Sequence, residues 1–243
     1  GNQTVQIVKE RAIAILTVAL FLGHGLRPVA AQSVSSRVVQ VAVPGATCAA
    51  VQEDAACLVV GVRSTSAYHL AMIPLDPRGN VLTGAMMRVA FAMPESLKTY
   101  TPYPLDVAWH PRYPLLYVWR DVSGPDVADT ARHPVFREFD HLAVYSITGG
   151  ILQFVQGYAR GTNYAWAQTP GRVALDPEGQ RLFVSNLRDP VSGRTQIGYL
   201  VLDTNGLPVE VEGRAVPGGV DSADVRVNPN GFGFLVPTSR VAI

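Results

Sequence analysis

The chain repeats one phrase four times, and this repeat restricts the possible folds more than any other feature. Each copy is a short apolar segment, a turn and a second apolar segment, and the copies occupy residues 48–60, 105–119, 171–185 and 223–236. Three of the turns carry a proline at the same position, with separations of 66 and 52 residues (Pro111, Pro177 and Pro229). All-β repeats of this length are typical of four-stranded propeller blades. The sequence therefore predicts an all-β fold, a β-propeller.

A second hairpin follows three of the copies and completes each expected blade. The hairpins begin at His69, His141 and Gln196, and a glycine follows the first strand of each, where a tight turn requires positive φ. The predicted blades span residues 38–98, 99–158 and 159–216, and an incomplete fourth spans 217–243. About three and a half blades would leave strand edges open, so we expect a partial chain of a longer protein. The alternative is a half-propeller that closes by self-association.

Residues 1–31 have the pattern of a secretory signal peptide. Lys9 and Arg11 precede an apolar run at residues 12–22, and small residues lead to Ala31, after which we expect cleavage. The alternative is a membrane anchor, but this run is too short to cross about 30 Å of hydrocarbon as a helix. We therefore expect a secreted or periplasmic protein whose partial propeller covers residues 32–243, with no stable membrane span after cleavage.

The charge of the chain restricts its partners. Charged residues make up 16% of the sequence, and the formal net charge is +1 without a cluster of Lys and Arg. Because nucleic-acid backbones are bound by a concentrated basic face, no nucleic-acid partner is expected. The expected partner is therefore a small molecule or a protein.

The two cysteines of the chain lie in the first predicted hairpin. Disulfides persist in the oxidising compartments to which a signal peptide leads. The repeat alignment places Val51, and not Cys48, opposite Cys57. A shifted register or a longer loop would bring the two sulfur atoms together, so the sequence leaves a disulfide open.

One face of the predicted propeller carries long polar connections, and binding residues usually lie in such loops on a rigid scaffold. The longest connection runs from Arg120 to Asp140. Its arginines would bind anions and its histidine would carry a proton. The alternative is a solvated surface excursion. The candidate ligand-binding residues of this connection are Arg120, Asp121, Arg132, His133 and Arg137.

Two later connections add further candidates. Arg160 and Asn163 accompany Trp166, a combination that stacks on sugars and bonds to them, although aromatic residues between blades also serve packing. Asn186 and Arg188 lie in the next long connection.

Catalytic and metal-binding patterns are weak in this sequence. His69 and His141 occupy the same phase of the repeat, which favours a structural role over a catalytic one. Asp106 shares a phase with Asp224, and oxygen ligands of this kind suit Ca²⁺, with Asn186 or Asn228 as partner. No calcium motif accompanies them, so we expect no cofactor, with a divalent cation as the alternative. No serine has the surroundings of a hydrolase nucleophile.

The stretches 172–186 and 197–207 resemble the repeat of the lactonase-like and YVTN-type β-propellers. The first reads Arg-Val-Ala-Leu-Asp-Pro-Glu-Gly-Gln-Arg-Leu-Phe-Val-Ser-Asn, and the second is a strand that ends in Asp203 before a Gly-Leu turn. The resemblance covers about residues 40–243 and implies a ring of seven blades. It leaves two functions open. The missing catalytic pattern favours a binding platform for a ligand or protein, and the alternative is a hydrolase of sugar lactones.

Overall fold

The computed structural model is built almost entirely of β-strands, which confirms the predicted all-β class. Besides strands, the described part of the chain holds two single-turn 3-10 helices, Thr83–Ala85 and Glu95–Leu97. The structure describes residues 4–8, 38–42, 46–52, 56–63, 68–78, 80–91, 95–123, 139–159, 165–166, 172–188, 195–209, 214–215, 226–227 and 234–235.

The first two strands form a two-stranded antiparallel sheet of their own. Strand β1 (Thr4–Val8) pairs antiparallel with β2 (Val38–Ala42). The predicted signal peptide places β1 in the segment to be removed, and residues 9–37 lie outside the described part of the chain. The signal peptide therefore stays a prediction. No helix in the described ranges is long and apolar enough to cross a membrane.

The first four-stranded sheet is an antiparallel meander that contains the first copy of the repeat. Its strands are β3 (Ala46–Gln52), β4 (Cys57–Arg63), β5 (Tyr68–Pro74) and β6 (Met87–Ala90), in that order. Strand β4 is buried from Cys57 to Val62, because it lies inside the sheet and both faces are covered.

The second sheet has the same order of strands and contains the second copy. It consists of β7 (Thr101–Trp109), β8 (Leu115–Ser123), β9 (Asp140–Thr148) and β10 (Ile151–Ala159). The pairing of β7 with β8 shifts between Pro104 and Asp106, so Leu105 is the extra residue of a β-bulge.

The third sheet contains the third copy, and a short hairpin follows it. Strands β11 (Ala165–Trp166) and β12 (Val173–Leu175) both pair with β13 (Arg181–Arg188), which pairs with β14 (Thr195–Val201) and then β15 (Arg214–Ala215). The hairpin of β16 (Arg226–Val227) and β17 (Phe234–Leu235) belongs to the fourth copy.

The sheets are joined by apolar layers, with β8 contributing to the layer on each side. Leu116 and Val118 pack with the first sheet, whereas Leu115, Tyr117 and Trp119 pack with the third. The alternation follows from the two-residue period of a strand. The first strands of successive sheets are also neighbours, since β7 contacts β3 and β12, and β12 contacts β16.

The register of the first hairpin excludes a disulfide between Cys48 and Cys57. Cys57 lies opposite Gln52, one residue from the expected Val51, because the connection from β3 to β4 holds four residues. Cys48 lies opposite Gly61, four residues from Cys57 along β4. Four residues of strand span about 13 Å, far beyond the reach of a disulfide. Both cysteines are free thiols.

Candidate functional site

A group of polar and aromatic side chains lies where β4, β5, β7 and β8 meet the long connections. Tyr103 and Asp121 are cross-strand partners on β7 and β8, and the Tyr103 hydroxyl donates to Oδ2 of Asp121 at 3.0 Å. The guanidinium of Arg63 lies 4.6 Å from the centroid of the Tyr103 ring, and the Tyr68 ring lies 5.8 Å from it. We call these four residues the rim cluster.

The electrostatics of the rim cluster keep the Tyr103 hydroxyl protonated. Burial raises the pKa of Tyr103, and the negative charge of Asp121 raises it further. The other carboxylate oxygen of Asp121, Oδ1, accepts the backbone N–H of Val122 at 2.8 Å. Arg63 is exposed, and the other three side chains are half-buried. The cluster thus offers a cation, an oriented carboxylate and aromatic faces, which together suit a polar ring such as a sugar.

The structure separates Arg120 from its neighbour Asp121, because successive residues of a strand point to opposite faces. Arg120 is 3% exposed, and its Nε and Nη2 donate to the carbonyl oxygen of Asp140 at 3.0 and 2.7 Å. The rings of Phe91 and Phe139 lie 5.5 and 5.0 Å from its guanidinium carbon. In this structure, Arg120 therefore joins β8 to β9 inside the protein.

His141 also has internal contacts. Its Nδ1 lies 3.3 Å from the carbonyl oxygen of Arg120, and its ring meets Phe139 edge to face at 5.0 Å. These contacts at the start of β9 support the structural role expected from the repeat.

A second polar group, the inner cluster, connects the first strands of the second and third sheets. It consists of Asp106, Arg172 and Ser185. Oδ2 of Asp106 accepts the N–H of Val173 at 3.0 Å, and Oδ1 lies 3.7 Å from Nη1 of Arg172. Arg172 also donates from Nη1 to the carbonyl oxygen of Leu105 at 3.1 Å and from its backbone to Oγ of Ser185 at 2.7 Å.

The first sheet meets β7 beside the inner cluster. The hydroxyl of Thr47 lies within donating distance of the carbonyl oxygens of Gly61 and Pro104, at 3.2 and 3.1 Å. Burial, followed by the charge of Asp106, raises the pKa of the Cys48 thiol to about 12. The Cys48 thiol is therefore protonated at neutral pH.

The sequence predicts no cofactor, and neither this prediction nor its alternative, a divalent cation at Asp106, is tested by this arrangement. Arg172 and the Val173 amide face the Asp106 carboxylate, while Asp224 and Asn228 lie outside the described residues. Across the described ranges, no three His, Cys, Asp or Glu side chains are grouped as metal ligands.

Most other predicted site residues cannot be compared with the rim cluster. Trp166 lies on β11 opposite Leu187, next to the backbone pair of Ala165 and Arg188. Asn186 lies where the register of β13 and β14 shifts. Only the backbone of Trp166, Asn186 and Arg188 is described. The candidates outside the described residues are Arg132, His133, Arg137, Arg160 and Asn163.

Asp121 was identified from the sequence, whereas the other three residues of the rim cluster were not. Arg63 and Tyr68 flank one of the long connections, which is a signal that could have been used. Tyr103 had no signal of its own, since its role depends on the register between β7 and β8.

Comparisons with known proteins identify the fold but no sequence family. No protein-family profile and no curated protein matches the chain. The crystal structure of a candidate 6-phosphogluconolactonase from Bacteroides uniformis is similar with a TM-score of 0.50 and 15% identity, over 79% of this chain and 46% of that one. The periplasmic gluconolactonase PpgL of Pseudomonas aeruginosa gives a TM-score of 0.39 and 18% identity, over 82% of this chain and 66% of that one.

The chain thus spans about half the length of the first of these structures and 66% of the second. At these identities the likeness concerns the arrangement of the backbone and not the chemistry. The similarity to the first structure shows that the chain has a lactonase-like fold.

Proposed function

We propose that the chain is part of an exported β-propeller enzyme that hydrolyses a sugar lactone. The observation that carries this proposal is the rim cluster, which brings a cation, a carboxylate and aromatic rings together on a lactonase-like fold. The successive antiparallel sheets, two of four strands and one of five, have adjacent first strands, and this arrangement supports propeller geometry. Export rests on the signal-peptide pattern of residues 1–31.

Opening a lactone requires the addition of one water molecule across the ring ester bond. The water oxygen attacks the carbonyl carbon as the water loses a proton, and the carbonyl oxygen becomes an oxyanion. The C=O bond then re-forms as the ring oxygen leaves and takes up a proton. Ionisation of the new carboxylic acid releases one proton to the solution. In our proposal the Arg63 guanidinium offsets the oxyanion charge, and the Asp121 carboxylate orients the attacking water. Tyr103 holds Asp121 through its hydroxyl, and the rings of Tyr103 and Tyr68 contact the C–H face of the sugar.

Ring opening of glucono-δ-lactone and of its 6-phosphate tests the proposal. Proton release by the purified chain is followed with an indicator in weak buffer and compared with spontaneous hydrolysis, with and without chelator. We expect Asp121→Asn and Arg63→Gln each to lower kcat/KM by about 10- to 100-fold, since each removes a group placed at the developing charge. The matched control is Lys98→Gln, which changes an exposed cation outside the cluster.

The same samples distinguish catalysis from simple binding. If the chain binds the lactone or its acid in calorimetry but does not accelerate ring opening, the hydrolase is excluded and a binding platform is favoured. If the chain neither binds the lactone nor accelerates ring opening, the rim cluster is excluded as a sugar site.

A further inference from the structure

His110 has an unusual place in the turn that follows β7. In the next repeat the corresponding residue is Asp176, and a proline follows each of the two. The backbone N–H of each also closes its own hairpin, to the carbonyl oxygen of Leu115 at 2.9 Å and of Arg181 at 3.1 Å. Oδ1 of Asp176 accepts two backbone N–H groups of its turn. An imidazole thus stands where the next repeat uses a carboxylate.

The hydrogen bonds of His110 determine its protonation state. Its Nδ1 accepts the backbone N–H groups of Arg112 at 3.0 Å and of Tyr113 at 3.1 Å. A nitrogen that accepts two N–H groups cannot carry a proton, so the proton of the neutral ring is on Nε2. Nε2 lies 3.0 Å from the carbonyl oxygen of Gly179 and donates to it. His110 therefore links the β7–β8 turn of the second sheet to the β12–β13 turn of the third.

The surroundings of the ring oppose a second proton. His110 is 2% exposed. Burial lowers the pKa of His110, and the charge of Arg112 lowers it further, while the bond to Gly179 and the charge of Asp176 act in the opposite direction. The rings of Tyr113 and Tyr117 lie 4.5 and 6.3 Å from it. The other charged residues of the neighbouring turns are Glu178, Arg181 and Asp203.

We propose that His110 is an acid-sensitive latch between the second and third sheets. A proton on Nδ1 would replace the shared acceptor with a donor that faces the N–H groups of Arg112 and Tyr113. Both hydrogen bonds would then be lost, and the turn would have to move away from the ring. Because Nε2 of the same ring bonds to Gly179, this movement would loosen the contact between the sheets.

The direction of the pH dependence follows from this geometry. The folded state favours the neutral ring, so the pKa of His110 is lower in the folded than in the unfolded chain. The latch therefore contributes its full stability above the ordinary histidine value of about 6.5. This contribution is lost as the pH falls through the lower folded value.

NMR of the intact chain tests the latch directly. We expect the imidazole nitrogen shifts at pH 7 to show Nδ1 without a proton and Nε2 with one. Between pH 7 and pH 5, protection of the Arg112 and Tyr113 amides from hydrogen exchange should fall by about tenfold or more, after correction for the intrinsic rate. A proton on Nδ1 at pH 7, or protection that does not depend on pH, would overturn the proposal.

Two variants separate His110 from other acid-sensitive groups. His110→Asn keeps a local acceptor that does not titrate, so the acid response of the two amides should disappear. His69→Gln removes another histidine whose pKa is lowered by burial, and it should leave that response intact. An unchanged acid response in His110→Asn contradicts the latch. If His110→Asn does not fold, the pH dependence of amide protection in the unsubstituted chain still tests the latch.

Discussion

The carbonyl oxygen of Gly179 accepts a hydrogen bond from His110, and the same ring fills the space that a side chain at residue 179 would need. A β-carbon built on Gly179 would overlap Cε1 and Nε2 of the ring. Gly179 also has a φ angle of +68°, a conformation that residues with a β-carbon rarely adopt. Glycine is therefore required at this turn for two independent reasons.

Substituting Gly179 with alanine tests both reasons at once. We expect Gly179→Ala to lower the free energy of unfolding by about 2–4 kcal/mol, from backbone strain and displacement of His110. The matched control is Gly149→Ala, because Gly149 has a φ angle of +58° with open space around it. Backbone strain alone should cost about 1–2 kcal/mol there. Urea denaturation measures both values, and equal losses would mean that the contact with His110 adds nothing.

The hairpins could be predicted from sequence because their signal is local. The apolar segments around Asp176 and the glycine at 179 specify two strands and a tight turn, and the structure has β12 and β13 there. The register predicted for the first hairpin was wrong by one residue. The length of the connection decides whether Val51 or Gln52 faces Cys57, and the structure has Gln52 there. A repeat alignment does not carry this information when one copy is degenerate.

The candidate site was less predictable because it depends on contacts between sheets. Asp121 was identified from a charged connection, but Arg63 and Tyr103 lie 40 residues apart and meet only when the first and second sheets stack. Arg120 was grouped with Asp121 by sequence. Because successive side chains of a strand point to opposite faces, Arg120 lies on the other face of the sheet, where it donates to the carbonyl oxygen of Asp140.

The interior position of Arg120 makes a second prediction. Arg120→Lys keeps the charge but loses the paired bonds from Nε and Nη2 to the carbonyl oxygen of Asp140. It also loses the guanidinium that lies near the rings of Phe91 and Phe139. We expect a loss of about 2–3 kcal/mol in the free energy of unfolding. Arg88→Lys, at an exposed position of β6, should change stability by less than about 0.5 kcal/mol. Similar values for the two variants would contradict the assignment of Arg120 as an interior link.

The inner cluster predicts an energetic coupling between Asp106 and Arg172. The side chain of Asp106 is 8% exposed and that of Arg172 is 37% exposed, so solvent screens their attraction only in part. A double-mutant cycle with Asp106→Asn and Arg172→Gln should give a coupling of about 1 kcal/mol. The control cycle uses Glu95 and Lys98, an exposed ion pair for which we expect about 0–0.5 kcal/mol. A coupling near zero for the first pair would mean that the two side chains act independently.

The two thiols predict how the chain reacts with a disulfide reagent such as Ellman's reagent. Burial raises the pKa of Cys57 to about 11, and burial with the charge of Asp106 raises that of Cys48 to about 12. The thiolate is the reactive form, so at pH 8 only about one Cys57 in a thousand is reactive, and still fewer Cys48. We expect almost no reaction in the folded chain and two equivalents after denaturation, because the sequence has two cysteines.

Cys48→Ala and Cys57→Ala should each release one equivalent under the same conditions. Denatured, unreduced protein that releases none, with a mass lower by two hydrogen atoms, would instead show a disulfide and a register other than the pairing of Cys48 with Gly61.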